Sequence, residues 1–278
     1  MRGGVLRRCV GKSQKNRIAA MATVKVCILR TAGTNCDLET DFAFQQAGAA
    51  TESVHINQML RGRASLSDFQ ILVIPGGFTY GDDIAAGKIL ANELRYGLGD
   101  KLREFIERGG AMLGICNGYQ VLVKARLLPG PFAPEAPQKV TLTFNDSAKF
   151  EDRWVHLSVS PNKSIFTDGV SRLYLPVAHG EGKFIAPDAA LQEIIGGKQV
   201  VFRYVNDSGE EAGYPWNPNG SMHSIAGICD DTGRVLGLMP HPERHALGVQ
   251  HPQWTRLGLK HEGDGMAVFR SVVSYYRR

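Results

Sequence analysis

Short apolar runs alternate with helix-like segments through the first half of the chain. The predicted strands cover residues 24–29, 52–56, 71–74 and 111–115, and the predicted helices cover residues 37–46 and 83–108, the second broken near Gly97 to Gly99. This order of strand, helix and strand predicts a parallel sheet covered by helices. In such sheets the functional site lies beyond the carboxyl ends of the strands.

The second half of the chain has a different pattern. Strand-like runs follow one another and are separated by turn signals such as Asn206-Asp-Ser-Gly209 and Asp231-Thr-Gly233. These runs cover residues 155–159, 173–177, 200–205, 225–229 and 235–239, and a last helix is predicted at about 265–276. The pattern favours an antiparallel or mixed extension of the sheet. The predicted fold class is therefore α/β: a mostly parallel sheet flanked by helices, with an antiparallel extension.

The most informative motif is Gly114-Ile-Cys-Asn-Gly-Tyr-Gln120, which joins the strand at 111–115 to a helix-like run ending near Arg126. A cysteine between two glycines at a strand-to-helix turn is the cysteine form of the nucleophile elbow. The glycines lack Cβ atoms where the chain must bend tightly. The free N–H groups and the positive dipole end of the following helix favour thiolate over thiol. The motif predicts Cys116 as a nucleophile.

A cysteine nucleophile needs a base, and that base needs an orienting group. The strand ending at Met239 continues into Pro240-His-Pro-Glu-Arg-His245. Residues two apart in an extended segment point the same way, so we expect Glu243 to hold the ring of His241.

Two other interpretations of this segment remain. The simpler one is a surface histidine beside a solvated glutamate. The other is a metal site at His241, Glu243 and His245, which are all ligand types. Because Pro242 works against the helical pairing that metallohydrolases use, the triad is favoured and no metal site is predicted.

A thiolate attack on a carbonyl also needs two N–H donors for the developing oxyanion. The amide of Asn117 directly follows the nucleophile, and the Gly76-Gly77 turn after the buried strand at 71–74 could supply the second donor. Taken alone, Pro75-Gly-Gly77 would be an ordinary tight turn. Its place after a buried strand favours the functional interpretation.

Charge is distributed unevenly along the chain. The 278 residues carry a formal net charge of +5, but residues 1–20 hold six Arg or Lys and no acid, which leaves −1 on the remainder. The basic signal therefore belongs to a leader, for which disorder is expected. Because Met21 stands directly before the first strand, we expect translation to start there. No apolar run approaches the ~20 residues that a membrane span needs.

The five cysteines are odd in number and scattered, with no Cys-x-x-Cys spacing. A disulfide framework or a zinc site is therefore not expected, and a reducing cytoplasm is the natural setting. Cys27 and Cys229 lie in apolar strands and are interpreted as core. Cys36 precedes a predicted helix, but no elbow or His-x-Glu segment is paired with it, so a structural or pocket-lining role is favoured.

Together the motifs resemble class I glutamine amidotransferases, with their order of Cys and then His-x-Glu. More specifically, they resemble the glutaminase subunits of phosphoribosylformylglycinamidine synthases, enzymes of purine biosynthesis. The matching segments run in the family's order from about Val24 to the C-terminus: Arg30-Thr-Ala-Gly-Thr-Asn-Cys-Asp37, Pro75-Gly-Gly-Phe-Thr-Tyr-Gly-Asp-Asp83, the Cys116 elbow, Ala178-His-Gly-Glu-Gly-Lys-Phe184, Tyr214-Pro-Trp-Asn-Pro-Asn-Gly-Ser221 and Gly237-Leu-Met-Pro-His-Pro-Glu-Arg-His245.

The resemblance implies the fold, the activity and the site. It implies a flavodoxin-like amidotransferase domain over residues 21–278. It implies glutamine hydrolysis through a γ-glutamyl thioester on Cys116, with His241 and Glu243 as its partners. The amides of Gly77 and Asn117 would hold the oxyanion, and Gln120 would lie near the bound glutamine. The His179-Gly-Glu-Gly182 loop would lie near the site or the partner surface.

The resemblance also implies partners. Ammonia would pass to a synthetase subunit that converts formylglycinamide ribonucleotide to the amidine, and a small bridging subunit would complete the complex. This chain has no Gly-x-x-x-x-Gly-Lys-Ser/Thr loop, so it is expected to hold no cofactor, and ATP and magnesium are expected in the synthetase. The leader and the longer segments after Leu128 and His245 depart from the family pattern.

Three other functions remain as alternatives. A freestanding cysteine hydrolase, such as a peptidase or a γ-glutamyl hydrolase, could use the same scaffold. A non-catalytic regulatory subunit could keep the fold, although the intact set of Cys116, His241 and Glu243 argues against it. Nucleic-acid binding through the leader is the weakest alternative, because the rest of the chain has no net positive charge.

Overall fold

The computed structural model describes residues 23–278, so the predicted leader and the expected start at Met21 lie outside the described residues. Eleven strands are present in this range: β1 (Lys25–Arg30), β2 (Ala50–His55), β3 (Ile71–Ile74), β4 (Ala111–Ile115), β5 (Thr141–Thr143), β6 (Glu151–Val159), β7 (Arg172–His179), β8 (Lys183–Ile185), β9 (Val200–Val205), β10 (Ile225–Cys229) and β11 (Val235–Leu238). Nine of them form one sheet in the order β2-β1-β3-β4-β11-β10-β9-β6-β7, and β5 pairs with β8.

The first part of the large sheet is parallel. Strands β2, β1, β3, β4 and β11 all run in the same direction. Every residue of β3 and β4 is buried, as expected for strands covered by helices on both faces. The strand order 2-1-3-4 followed by a fifth parallel strand is the flavodoxin-like arrangement.

The second part of the sheet is antiparallel. β10 pairs antiparallel with both β11 and β9, and β6 pairs antiparallel with both β9 and β7. The predicted fold class, a mostly parallel α/β sheet with an antiparallel extension, is confirmed. Because both parts belong to one sheet, the late strand β11 lies directly beside β4.

The helices are α1 (Asp37–Gln46), α2 (Ile56–Leu60), α3 (Lys88–Asn92), α4 (Gly99–Glu107), α5 (Asn117–Lys124), α6 (Asp188–Gly196), α7 (Trp254–Leu257) and α8 (Met266–Arg277), with a π-helical turn at Glu93–Gly97 between α3 and α4. None of the helices in residues 23–278 has the length and apolar character to cross a bilayer.

The helix predicted over residues 83–108 starts later than expected. Residues before Lys88 form a turn, in which the carboxylate of Asp82 accepts the N–H of Gly87 at 2.9 Å. Gly87 has φ 70°, and a Cβ there would lie 2.6 Å from a methyl group of Val121. The hydrogen bond from Gly87 to Asp82 and the close packing against Val121 therefore override the helical pattern at this point.

Candidate active site

Three neighbouring parallel strands end at the same edge of the sheet. β3 is followed by the Gly76-Gly77 turn, β4 by Cys116, and β11 by the segment containing His241. The register pairs Leu238 with Ile115, so both strands end at the same level. This topology brings together residues that are far apart in the chain.

Cys116 lies on a strained turn. Its φ of 51° and ψ of −106° are unusual for a residue with a side chain, and they hold it at the amino end of α5. The turn also needs close backbone packing, because a Cβ on Gly118 would lie 1.9 Å from the carbonyl oxygen of Ile74. The Cys116 sulfur is 3.7 Å from the carbonyl oxygen of Ala178 and lines an open cavity. This is the elbow geometry that the motif predicts.

His241 and Glu243 form a buried pair. Nδ1 of His241 lies 2.6 Å from Oε1 of Glu243, which leaves Nε2 as the ring nitrogen available to Cys116. Burial lowers the pKa of His241, but the carboxylate of Glu243 and the sulfur of Cys116 together outweigh burial and raise this pKa well above its ordinary value. The pair can therefore hold a proton beside the cysteine.

The backbone around this pair differs from the prediction. Residues Pro242–His245 form a 3₁₀ turn instead of an extended segment. The two side chains still meet, because His241 itself is extended and its N–H donates to the carbonyl of Pro176 at 2.8 Å. The interpretation as a solvated surface pair is wrong, since the side chain of His241 is 2% exposed and that of Glu243 is 0% exposed.

His245 does not join the pair. Its Nδ1 donates to the carbonyl oxygen of Tyr174 at 2.7 Å, and its ring packs edge-on against Trp154. Among the described residues, the one group of three ligand-type side chains consists instead of Cys36, His241 and Glu243. A metal site through His245 is therefore excluded by its position.

Cys36 lies closer to the site than the sequence suggested. Its sulfur is 4.0 Å from Nδ1 of His241, and a guanidinium nitrogen of Arg244 donates to it at 3.0 Å. The sequence analysis expected no His-x-Glu segment beside Cys36, and this expectation is wrong. Its position follows from the register of β1 beside β3, which local sequence patterns do not reveal.

The two predicted oxyanion donors are the backbone amides of Gly77, which lines the same cavity as Cys116, and of Asn117, the next residue in the chain. The amide of Asn117 is the first N–H of α5 and has no acceptor within the helix. Gly77 lines the cavity at φ 146°, and a Cβ there would lie 2.5 Å from the carbonyl oxygen of Gly33. In residues 23–278 the amide of Gly77 has no hydrogen-bond acceptor. Both predicted donors are therefore available to a ligand.

The side chain of Asn117 lies at the centre of a buried polar network. Its carbonyl oxygen accepts from the hydroxyl of Thr79 at 2.8 Å, and its amide nitrogen donates to Asp82 at 3.1 Å and to Gln120 at 3.0 Å. Gln120 in turn donates to the carbonyl of Glu181 at 2.5 Å. Sequence reasoning missed Thr79 and Asp82 as individual residues, although both belong to the segment Pro75–Asp83.

The cavity above the thiol has a volume of about 180 Å³. Cys116 and Gln120 line it, residues 178–181 at and beyond the end of β7 form one wall, and three partly exposed rings also line it. These rings belong to Phe78, Phe144 and Phe150. The cavity is large enough for one small amino acid and leaves the sulfur accessible.

The end of β7, at His179, is held by two buried asparagines. Nδ1 of His179 is 3.1 Å from Oδ1 of Asn145, whose own amide nitrogen donates to the carbonyl of His179 at 2.8 Å. On the other side of the ring, the amide nitrogen of Asn219 is 3.5 Å from Nε2. Burial, followed by the nearby His241, lowers the pKa of His179 to about 3. His179 is thus a neutral buried residue.

A cysteine on a strained strand-to-helix turn, beside a buried His-x-Glu pair at the carboxyl edge of a parallel sheet, is the arrangement expected of a class I glutamine amidotransferase. Residues 23–276 match the family described as the CobB/CobQ-like glutamine amidotransferase domain, and the chain belongs to this family.

Individual relatives show which kind of glutamine amidotransferase the chain is most similar to among those compared. The chain is 50% identical over 259 residues to the phosphoribosylformylglycinamidine synthase subunit PurQ of Dehalococcoides mccartyi, covering 93% of this chain and 100% of the relative. It is 45% identical to PurQ of Archaeoglobus fulgidus over 272 residues, covering 92% of this chain and 98% of the relative. Among solved structures it resembles a chain of PurLQS from Thermotoga maritima, with 31% identity, a TM-score of 0.70, and coverage of 91% of this chain and 99% of that one.

Proposed function

We propose that this chain is the glutaminase subunit of a phosphoribosylformylglycinamidine synthase. It hydrolyses glutamine to glutamate and ammonia, and the ammonia is passed to a synthetase subunit that makes formylglycinamidine ribonucleotide with ATP. The observation that carries the chemistry is the meeting of Cys116, on its strained turn, with the buried pair of His241 and Glu243. The names of the relatives carry the assignment to purine biosynthesis.

The first chemical step forms a thioester. His241 takes the proton of Cys116 through Nε2, and the sulfur attacks the γ-carboxamide carbon of glutamine. The amides of Gly77 and Asn117 donate to the oxyanion of the tetrahedral intermediate. The imidazolium then gives its proton to the leaving nitrogen, the carbon–nitrogen bond breaks and ammonia departs.

The second step regenerates the thiol. His241 accepts a proton from water, the resulting hydroxide attacks the thioester carbonyl, and the carbon–sulfur bond breaks to release glutamate. Glu243 fixes the ring orientation through Nδ1 and stabilises the imidazolium. Gln120 and Asn117 shape the floor of the glutamine cavity through their shared network.

The remaining chemistry belongs to partners. ATP and magnesium are assigned to the synthetase subunit, because the sequence has no phosphate-binding loop of the Gly-x-x-x-x-Gly-Lys-Ser/Thr type. A relative named as part of PurLQS supports a third, small subunit in the complex. We expect weak glutaminase activity from the isolated chain, since uncoupled hydrolysis would release ammonia without product.

The test is a glutaminase assay of the full chain with and without its cognate synthetase and small subunits, ATP and formylglycinamide ribonucleotide. Activity should rise when the partners are added and fall by at least about 10³-fold in Cys116→Ala. Cys116→Ser serves as a second control, because serine keeps the shape of the side chain on the strained turn. Strong activity that ignores the partners would indicate a freestanding hydrolase, and no activity in any mixture would indicate a non-catalytic subunit.

A further inference from the structure

Three potential metal ligands lie close together: the thiol of Cys36, the imidazole of His241 and the carboxylate of Glu243. The sulfur of Cys36, a nitrogen of His241 and a carboxylate oxygen of Glu243 all lie within 4.8 Å of one another. All three residues are buried, and Cys36 comes from the start of α1, more than 200 residues before the others. Thiolate, imidazole and carboxylate are the donors that Zn²⁺ takes in proteins.

One oxygen in this cluster lacks a hydrogen-bond partner. Oε2 of Glu243 is buried and has no hydrogen-bond partner among residues 23–278. The Cys36 sulfur donates to Oδ1 of Asn35 at 3.1 Å and accepts from Arg244, and its separation of 4.0 Å from Nδ1 of His241 is too long for a strong hydrogen bond. A buried carboxylate oxygen without a donor is costly, and it belongs to the same carboxylate whose Oε1 contacts Nδ1.

We propose that Cys36, His241 and Glu243 form an inhibitory Zn²⁺ site. Zinc bound at about 2.3 Å from sulfur and about 2.0–2.2 Å from nitrogen and oxygen spaces its ligands roughly 3.3–3.7 Å apart. The sulfur therefore moves slightly toward Nδ1, and Oε1 of Glu243 moves away from its present 2.6 Å contact with Nδ1. Both shifts are within the reach of side-chain rotation.

Metal binding at Nδ1 removes the base that acts on Cys116. On coordination, the proton of the Cys36 thiol leaves to solvent, and the single proton of the neutral His241 ring moves from Nδ1 to Nε2 by exchange with solvent. A neutral imidazole that binds metal through Nδ1 carries its remaining proton on Nε2, so it has no lone pair to accept the Cys116 proton. Zinc thus inactivates the enzyme without touching the nucleophile.

The neighbouring guanidinium of Arg244 limits the affinity of the site for Zn²⁺. The guanidinium of Arg244 donates to the Cys36 sulfur at 3.0 Å and competes with a divalent ion for the same electron pairs. The site is therefore suited to reversible inhibition and not to structural metal. It differs from the sequence-based expectation that this chain holds no metal.

Binding is tested with Co²⁺ as the probe, because a thiolate–cobalt bond gives a charge-transfer absorption band. Every protein carries Cys9→Ser to remove the thiol that lies outside the described residues. The band should appear in the otherwise native chain and in Cys116→Ala, and it should be lost in Cys36→Ser. A band lost in Cys116→Ala but kept in Cys36→Ser, a band kept in both, or no band at all would overturn the proposal.

A second variant is needed, because misfolding of Cys36→Ser would also abolish the cobalt band. Glu243→Gln keeps the thiol and the imidazole but removes the charged oxygen ligand. It should weaken Co²⁺ binding at least about tenfold, in line with the loss expected for a metal-site residue. Unchanged affinity in a folded Glu243→Gln protein, judged by cooperative thermal unfolding, would also overturn the site.

Inhibition is tested separately, and this arm rests on the proposed glutaminase activity. Zn²⁺ should inhibit glutamine hydrolysis reversibly, with recovery on addition of a chelator. Cys36→Ser should need at least about tenfold more Zn²⁺ for the same fractional inhibition, each protein being compared with its own metal-free rate. Equal sensitivity would overturn the inhibitory role. A protein that binds Co²⁺ as expected but hydrolyses no glutamine would refute the proposed function and leave the metal site standing.

Discussion

The cysteines of this chain show how position decides what one side chain does. Burial, with a smaller contribution from Asp230, raises the pKa of Cys229 to about 12, and burial likewise raises the pKa of Cys27, so both behave as apolar core groups. Cys116 has the same chemistry but lies on a strained turn at a helix N-terminus, beside a histidine whose pKa is raised. Local motifs were sufficient to predict Cys116, His241 and Glu243 as a group.

At this scale the first prediction concerns Glu243→Gln. The amide keeps the shape of the side chain but removes a charge that favours the imidazolium against burial, so the pKa of His241 should fall. We expect the kcat of glutamine hydrolysis in the assembled complex to fall by about 10²–10⁴-fold, as for the orienting acid of other triads. Steady-state kinetics give kcat, and NMR titration of the His241 ring in a Cys116→Ala background gives the pKa. A variant with an unchanged His241 pKa would contradict this account.

At the scale of elements, the sequence pattern predicted the bounds of a strand reliably where the strand is buried on both faces. β3, β4, β9 and β10 have the predicted bounds, because an apolar run between turn signals leaves few alternatives. β5 and β8 were not predicted. Each has three residues, and their pairing joins segments about 40 residues apart, so no local period marks them.

The sequence analysis did not predict helix α6, although a local signal for it was present. Helix α6 begins after Pro187 with Asp188 in its first turn, which is a recognised helix-start signal. By contrast, the late start of α3 depends on the hydrogen bond from Gly87 to Asp82 and on the contact of Gly87 with Val121. Those contacts exist only in the folded protein.

The second prediction concerns the glycine that lets α5 pass close to β3. Gly118→Ala places a methyl group 1.9 Å from the Ile74 carbonyl oxygen, and neither backbone can move freely. We expect a loss of about 3 kcal/mol or more in the free energy of unfolding, together with reduced glutaminase activity as the turn at Cys116 shifts. Urea denaturation and the coupled assay measure the two effects.

Gly196→Ala is the matched control. Gly196 is the exposed last residue of α6, and a Cβ there meets no atom within 4 Å. We expect its free energy of unfolding to stay within about 0.5 kcal/mol of the native value or to rise slightly. Equal destabilisation by the two substitutions would show that close packing is not the cause at Gly118.

At the scale of the whole molecule, contacts between distant segments complete the site. Asn145 and Asn219 hold His179 from two sides, and Cys36 reaches His241 from the first helix. None of these contacts follows from local sequence, because each depends on which strands are neighbours. The sequence alone was therefore enough to predict that Cys116, His241 and Glu243 would lie together, but not to predict the residues that support them.

The third prediction concerns the pH dependence of stability. The lowered pKa of His179, about 3 against an ordinary 6.5, means that between these values the unfolded chain binds a proton that the folded chain does not. Stability therefore rises with pH across this window, and the contribution of His179 is complete above 6.5 and is lost as pH falls toward 3. Relative to His179→Asn, the native chain should lose up to about 1.4 kcal/mol per pH unit on acidification.

Denaturation curves of both proteins between pH 4 and 7 measure this difference, on the order of a few kcal/mol at most. Asparagine is chosen because its amide nitrogen can take the place of Nδ1 opposite Asn145. His241 and the other histidines remain in both chains, so their contributions cancel in the comparison. Parallel pH profiles for the two proteins would contradict a neutral buried His179.

The place of β11 in the sheet has a consequence for how the protein is made. During synthesis the ribosome delivers β4 and Cys116 first, and β4 has β3 on one side but nothing on the other until β11 emerges. His241 follows only a few residues after β11. A growing polypeptide therefore carries Cys116, the proposed nucleophile, for much of translation without His241, its proposed base. On this account the site is complete only when the sheet closes around the last-made parallel strand.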